Sequence, residues 1–272
     1  MATLSRDSLT RRTLTAAVIG VVLIGSVLVP SVWGLALVVA GISGLSAAEF
    51  YAITRREHRL PNEIFGVLAA ITMPLAAAEW GLSGLTVVMS ALIVLALAWY
   101  VAFRQVTLAD SAITVFGAVY IGFTLAHLVL IRDLTDGVGL ALLVLFSVWA
   151  NDVFAYLAGS AFGRHKLAPH ISPNKSWEGF IAGAVLTVAV WVGGYFILGG
   201  MPLWGYAAAG AAVTIAAVVG DLGESRLKRE AAVKDSGTSL PGHGGFLDRF
   251  DSLTLVSVVA FYLLLFVSGG SA

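Results

Sequence analysis

Nine mostly apolar stretches recur between residues 13 and 267, and their length constrains the fold: crossing a hydrocarbon core of about 30 Å takes roughly 20 helical residues. They cover residues 13–30, 32–51, 61–78, 82–103, 111–131, 137–158, 177–198, 202–219 and 253–267. None shows the two-residue alternation of a membrane barrel, and open strands would leave backbone groups unpaired in lipid, so each reads as a helix. Composition agrees: 58% of residues are hydrophobic and 12% charged, against about a quarter charged in soluble chains. The expected fold is an all-α polytopic membrane protein with about nine transmembrane helices.

Orientation follows from Lys and Arg, which stay on the cytoplasmic side. With the N-terminus cytoplasmic and the C-terminus outside, every one of the 16 basic residues except Arg132 falls in an inside segment. A bacterial-type cytoplasmic (inner) membrane, crossed many times, is the expected location. The first apolar run follows three arginines but lacks an Ala-x-Ala cleavage pattern and leads into a second run, so it is expected to be retained. There is no cysteine, which excludes disulfides, thiolate nucleophiles and cysteine metal ligands.

The chain divides by content. Residues 1–135 hold five helices of Ala, Leu, Val and Gly, suited to close packing, and are expected to act as scaffold with dimer or lipid contacts. Residues 136–272 carry four helices and most of the polar chemistry. Two ionisable residues interrupt the bland half: Glu49 at the end of the second helix and His127 within the fifth. Such residues are functional candidates in membranes. The plainer readings are that Glu49 reaches the interface and His127 is a neutral donor between helices.

Chemistry concentrates after Gly220. From Asp221, residues Ser225, Lys228 and Arg229 follow at i+4, i+7 and i+8, on one helical face. A snorkelling basic collar would account for the cations, but not for an acid and a hydroxyl in register with them. The segment 236–245 then alternates Gly and Pro with small polar residues. It carries His243, Gly244 and Gly245, and suits close backbone approach to phosphate oxygens. Asp248 and Asp251 stand at i, i+3 around Arg249, and Lys234 and Asp235 precede the loop. A helix N-terminus favours carboxylates, which explains one of these acids. Several acids among surplus Lys and Arg are the donor set expected for Mg²⁺ holding a polyphosphate, and imply phosphoryl or nucleotidyl transfer.

A second cluster lies upstream. Asn151, Asp152 and Tyr156 fall near the end of the sixth helix, and the break at residues 172–176 carries Lys175 and Ser176 into the seventh. Ser176 is a natural N-cap there, with Glu178 in the first turn.

The string Ser225-x-Leu227-Lys228-Arg229, four residues, Lys234-Asp235, then Leu240-Pro-Gly-His243-Gly244-Gly245-Phe-Leu-Asp248-Arg249-Phe-Asp251 resembles the signature of the phosphatidate cytidylyltransferase (CDP-diacylglycerol synthase) family. The stretches 220–225 and 172–179 are similar to it too, and the resemblance covers roughly residue 149 to the end. It implies the reaction of CTP with phosphatidic acid to give CDP-diacylglycerol and pyrophosphate, at the cytoplasmic face of a membrane homodimer. It further implies Mg²⁺ on Asp221 and Asp248, with K⁺ a candidate to share the site. On that reading Asp221, Asp248, Lys228, Arg229, Lys234 and His243 are catalytic. Asn151, Asp152, Lys175, Ser176, Ser225, Asp235, Gly244, Gly245, Arg249 and Asp251 bind substrate, and no nucleic-acid partner is expected. A CTP-dependent lipid-alcohol kinase or other membrane phosphotransferase would need a similar kit. A transporter fits less well, because the polar residues crowd one face and no inverted repeat is visible.

Overall fold

The computed structural model describes residues 6–55, 61–240 and 244–268, with side chains from residue 13 onward. It is helical almost throughout: α1 (Arg6–Leu28), α2 (Val32–Arg55), α3 (Glu63–Ala102), α4 (Leu108–Ala118), a π-helical segment (Val119–Phe123), α5 (Thr124–Asp133), α6 (Gly137–Phe162), α7 (Trp177–Leu198), α8 (Leu203–Glu230) and α9 (Leu247–Val267). A short β1 (Lys166–Ala168) pairs antiparallel with β2 (Ser172–Ser176). This ribbon was not expected from the sequence, which reads as an irregular loop there.

Among the described residues, seven helices are long and apolar enough to cross a membrane, taking Leu108–Asp133 as one, and Thr13–Leu28 is a shorter apolar helix. The chain is an all-α, multi-pass membrane protein. The third and fourth apolar segments of the sequence both lie in α3. An unbroken helix of that length would run about 60 Å, twice a hydrocarbon core. It is not unbroken, because Gly81 has φ 59° and ψ −142°, a region glycine enters without steric cost. The chain reverses there. Phe65 and Trp99 would lie about 51 Å apart along a continuous helix, yet their rings meet edge to face at 5.8 Å.

Contacts group the chain into two compact units, Met1–Val129 with Glu230–Phe250, and Leu130–Arg229 with Asp251–Ala272. In the first, α2 packs against α3, α4 and the π segment. Its core includes the fully buried Phe50, Tyr51, Met73 and Leu85, and the Tyr51 hydroxyl donates to the Thr114 carbonyl at 2.6 Å. Arg55, ending α2, pairs with Glu63, opening α3. A Thr107–Asp110 capping box starts α4. In the second unit α6 lies along α7, with the ribbon beside both. Trp191 of α7 and Tyr206 of α8 are buried together, ring centroids 6.4 Å apart.

Candidate active site

A cavity of about 250 Å³ opens in the second unit. The C-terminal half of α6 supplies Asn151, Asp152 and Tyr156, β2 supplies Lys175 and Ser176, and α8 supplies Asp221. Leu167, Phe180, Ala217 and Val218 form its apolar walls. The i, i+4 pair Asp152 and Tyr156 therefore shares the cavity, as their spacing predicts. The ribbon explains how Lys175 arrives: Lys166 pairs with Ser176 in register, and the Trp177 N–H donates to the His165 carbonyl at 2.9 Å. The strand is thus fixed up to the residue that starts α7. Ser176 then caps α7, accepting from the Gly179 N–H at 3.2 Å.

The cavity is charged on one wall. Lys175 Nζ lies 2.6 Å from Asp221 Oδ2, and the Ser225 hydroxyl donates to Asp221 Oδ1 at 3.2 Å. Both Asp221 contacts come from residues that the sequence placed in the site. Asp251 in α9 is half-buried and feels the charges of Asp221 and Asp152 as well as that of Lys228. Asn151 is buried; its amide donates to Asp152 Oδ1 at 3.4 Å, and its own oxygen has no hydrogen-bond partner among the described residues.

Lys228 sits about two turns beyond Asp221 and pairs with Glu224 at 2.5 Å, the glutamate side chain being wholly buried. Arg229 is exposed and lies 3.5 Å from the Ile171 carbonyl. Asp152, Asp221, Glu224 and Asp251 thus share this unit's polar end with Lys175 and Lys228. Among the described residues, no three His, Asp or Glu side chains form a ready cage for a metal ion. One or two carboxylates completed by phosphate oxygens is how Mg²⁺ is commonly held with a nucleotide, and the all-oxygen donor set fits that hard cation.

The loop before α9 belongs to the first unit. Lys234 and Asp235 are exposed, as is Arg249. His243 lies outside the described residues. Leu240 and Gly244 close the loop, the Leu240 N–H donating to the Gly244 carbonyl at 2.9 Å. The sequence suggested that the loop amides face a ligand. Two of them instead donate inward, to Asp248 Oδ2: the Ser236 N–H at 2.9 Å and the Gly245 N–H at 2.8 Å, joined by the Ser236 hydroxyl at 2.9 Å.

Three contacts are not legible in the sequence. Glu224 hides in an otherwise legible helical face, and an acid four residues before Lys228 was its signal. Glu178 does not only favour the start of α7: its Oε1 lies 2.6 Å from His165 Nδ1. Ser236 looked like one more small polar loop residue.

The model of the cytidylyltransferase family matches residues 10–267. Three proteins named phosphatidate cytidylyltransferase are similar to the chain. That of Mycobacterium leprae (strain TN) is 39% identical over 158 residues, 58% of this chain and 50% of that protein. That of Haemophilus influenzae (strain ATCC 51907 / DSM 11121 / KW20 / Rd) is 40% identical over 168 residues, 60% and 58% respectively. That of Pseudomonas aeruginosa (strain ATCC 15692 / DSM 22644 / CIP 104116 / JCM 14847 / LMG 12228 / 1C / PRS 101 / PAO1) is 42% identical over 147 residues, 53% and 54%. The chain spans about half the length of the curated relatives it matches. The chain belongs to the cytidylyltransferase family.

Proposed function

We propose that the protein transfers CMP from CTP to phosphatidic acid, giving CDP-diacylglycerol and pyrophosphate, at the cytoplasmic face of a bacterial inner membrane and as a homodimer. The observation that carries this reading is the cavity wall on which Lys175 is paired to Asp221 beside Asn151 and Asp152. A site that offers carboxylate and ammonium together suits a metal-bound polyphosphate.

A phosphate oxygen of phosphatidic acid attacks the α-phosphorus of CTP; the bond from that phosphorus to the bridging oxygen breaks, and pyrophosphate leaves with the electron pair. A phosphate monoester with a second pKa of about 6 is largely ionised near neutral pH. No general base is required, and His243 is assigned to phosphate contact. Catalysis rests on positioning and on neutralising charge. Lys228, Arg229, Lys234 and Arg249 hold triphosphate or lipid phosphate, while Lys175, Asn151 and Asp152 line the cavity. Asp221 and Asp248 are the proposed Mg²⁺ ligands, with K⁺ a further candidate. When bound, Mg²⁺ would withdraw charge from the phosphate oxygens. Asp221 brings a carboxylate already flanked by Lys175 and Ser225; Asp248 brings one whose Oδ2 is fixed by its own loop.

The test is purified protein with phosphatidic acid and α-labelled CTP, with Mg²⁺ and with chelator. Label enters lipid only with metal, and Asp221→Asn removes about 10²-fold or more of the rate. With diacylglycerol in place of phosphatidic acid, release of labelled CDP with an unlabelled lipid phosphate would instead make the protein a kinase, and label in lipid despite chelation would sink the metal assignment.

A further inference from the structure

Glu49 comes from the half of the chain that the sequence reads as scaffold, yet its carboxylate is bonded to the loop that carries Asp248. Its Oε2 accepts from the Leu247 N–H at 2.9 Å and from the Ser236 hydroxyl at 3.1 Å, across nearly two hundred residues of sequence. The residue is buried. A side chain at Gly237 would come within 2.5 Å of Glu49 Oε1, and one at Gly245 would collide with Oε2. The backbone at these two glycines therefore lies so close to the carboxylate that an added Cβ would force Glu49 to move.

The same hydroxyl that reaches Glu49 lies 2.9 Å from Asp248 Oδ2. Ser236 has one hydroxyl hydrogen and two carboxylate neighbours, so it donates to one of them at a time and couples the two acids by sharing that hydrogen. Leu247, held by Glu49 through its amide, is the residue immediately before Asp248. Glu49 thus grips the chain on both sides of the loop, at Ser236 and at Leu247, while Asp248 grips the loop from within. A residue merely reaching the water interface would remain exposed and would not crowd two glycines.

We propose that Glu49 is a positioning residue: it anchors the 236–247 loop and, through Ser236 and Leu247, fixes the aim of the Asp248 carboxylate for the transfer reaction. The inference rests on the functional reading above. Its distinctive consequence is that a residue in the second helix sets turnover without touching substrate.

The experiment uses the full chain in lipid vesicles, with Glu49→Ala, Glu49→Gln, Ser236→Ala and the Glu49→Ala/Ser236→Ala pair. Glu49→Ala lowers kcat about 10²-fold with KM for CTP little changed, because outer partners orient a catalytic group more than they bind substrate. Glu49→Gln recovers much of that loss, since the amide oxygen still accepts from Leu247 and Ser236. The combined loss in the pair is smaller than the product of the two single losses, because both changes remove the shared Glu49–Ser236 hydroxyl contact. Hydrogen exchange gives a readout independent of turnover: the peptide spanning 236–247 exchanges faster in Glu49→Ala, while α6 peptides do not change.

Unchanged loop exchange in Glu49→Ala overturns the anchor. A loosened loop with unchanged kcat overturns the positioning role, and so does multiplicative behaviour in the pair. Should Glu49→Ala not fold, the same criteria apply to Ser236→Ala, and a Glu49→Gln variant that loses as much turnover and loop protection as Ser236→Ala overturns the acceptor role. Failure of the underlying reading shows separately, as no labelled lipid from the unaltered chain. That result withdraws the catalytic role whatever the exchange data show.

Discussion

Lys228 is a residue for which charge and position point in different directions. Its place on the Asp221 face suggests a phosphate ligand, but its immediate partner is Glu224, which has no exposed side-chain surface. Removing one member of a buried pair strands the other charge and commonly costs about 3–5 kcal/mol, whereas replacing both with apolar side chains is often close to neutral. Lys228→Met is therefore expected to lower the thermal midpoint in detergent clearly, and Glu224→Leu/Lys228→Met to restore most of it without restoring turnover. If the double variant is as unstable as the single one, the buried pair is not what holds this end of α8. The i, i+4 spacing of these two residues is present in the sequence, but it does not reveal which of the surrounding acids Lys228 chooses, because that depends on which side of α8 is covered. Lys175 is the reverse case. Its sequence context suggested no structural task, and its pairing with Asp221 arises only once a strand places it.

At the level of elements, apolar length was the most informative signal, since lipid leaves the backbone few alternatives to helix. It placed the helix pair within α3 correctly because Gly81 interrupts an otherwise uniform run. The ribbon of β1 and β2 is not legible in this way: five residues including Pro173 and Asn174 carry no alternation, and the ladder is set by partners across a turn. Gly81 itself can be tested. Its φ and ψ lie where other residues incur about 1–3 kcal/mol of strain. Gly81→Ala should destabilise the folded protein in thermal unfolding. Gly25→Ala should be tolerated: an added Cβ meets open space at both positions, but Gly25 lies within the regular helix α1. Equal effects at the two glycines would mean that the reversal does not depend on Gly81's conformation.

For the molecule as a whole, the charge asymmetry remains the strongest handle on topology, and the absence of cysteine makes it directly measurable. Gln105→Cys and Thr135→Cys each introduce a single thiol. On the expected orientation the first reacts with an impermeant maleimide only from the cytoplasmic side, and the second only from outside. The opposite pattern would invert the chain and move the proposed site to the other face. How the polar residues group was less legible than where the helices run. Residues 230–250 join the N-terminal helices in one compact unit, and the reason lies in Glu49: a single acid in an apolar helix carries no address in sequence, and its partners are a backbone amide and a serine hydroxyl of a kind that any loop possesses.

The bond between Glu49 and the Leu247 amide also has a meaning in time. A ribosome delivers residue 49 to the membrane long before residue 247 leaves the exit tunnel, so a nascent or prematurely ended chain must carry this acid without the donors that later enclose it. An unsatisfied buried polar group costs several kcal/mol. The carboxylate of the second helix therefore gains these donors only once the start of the last helix is in place.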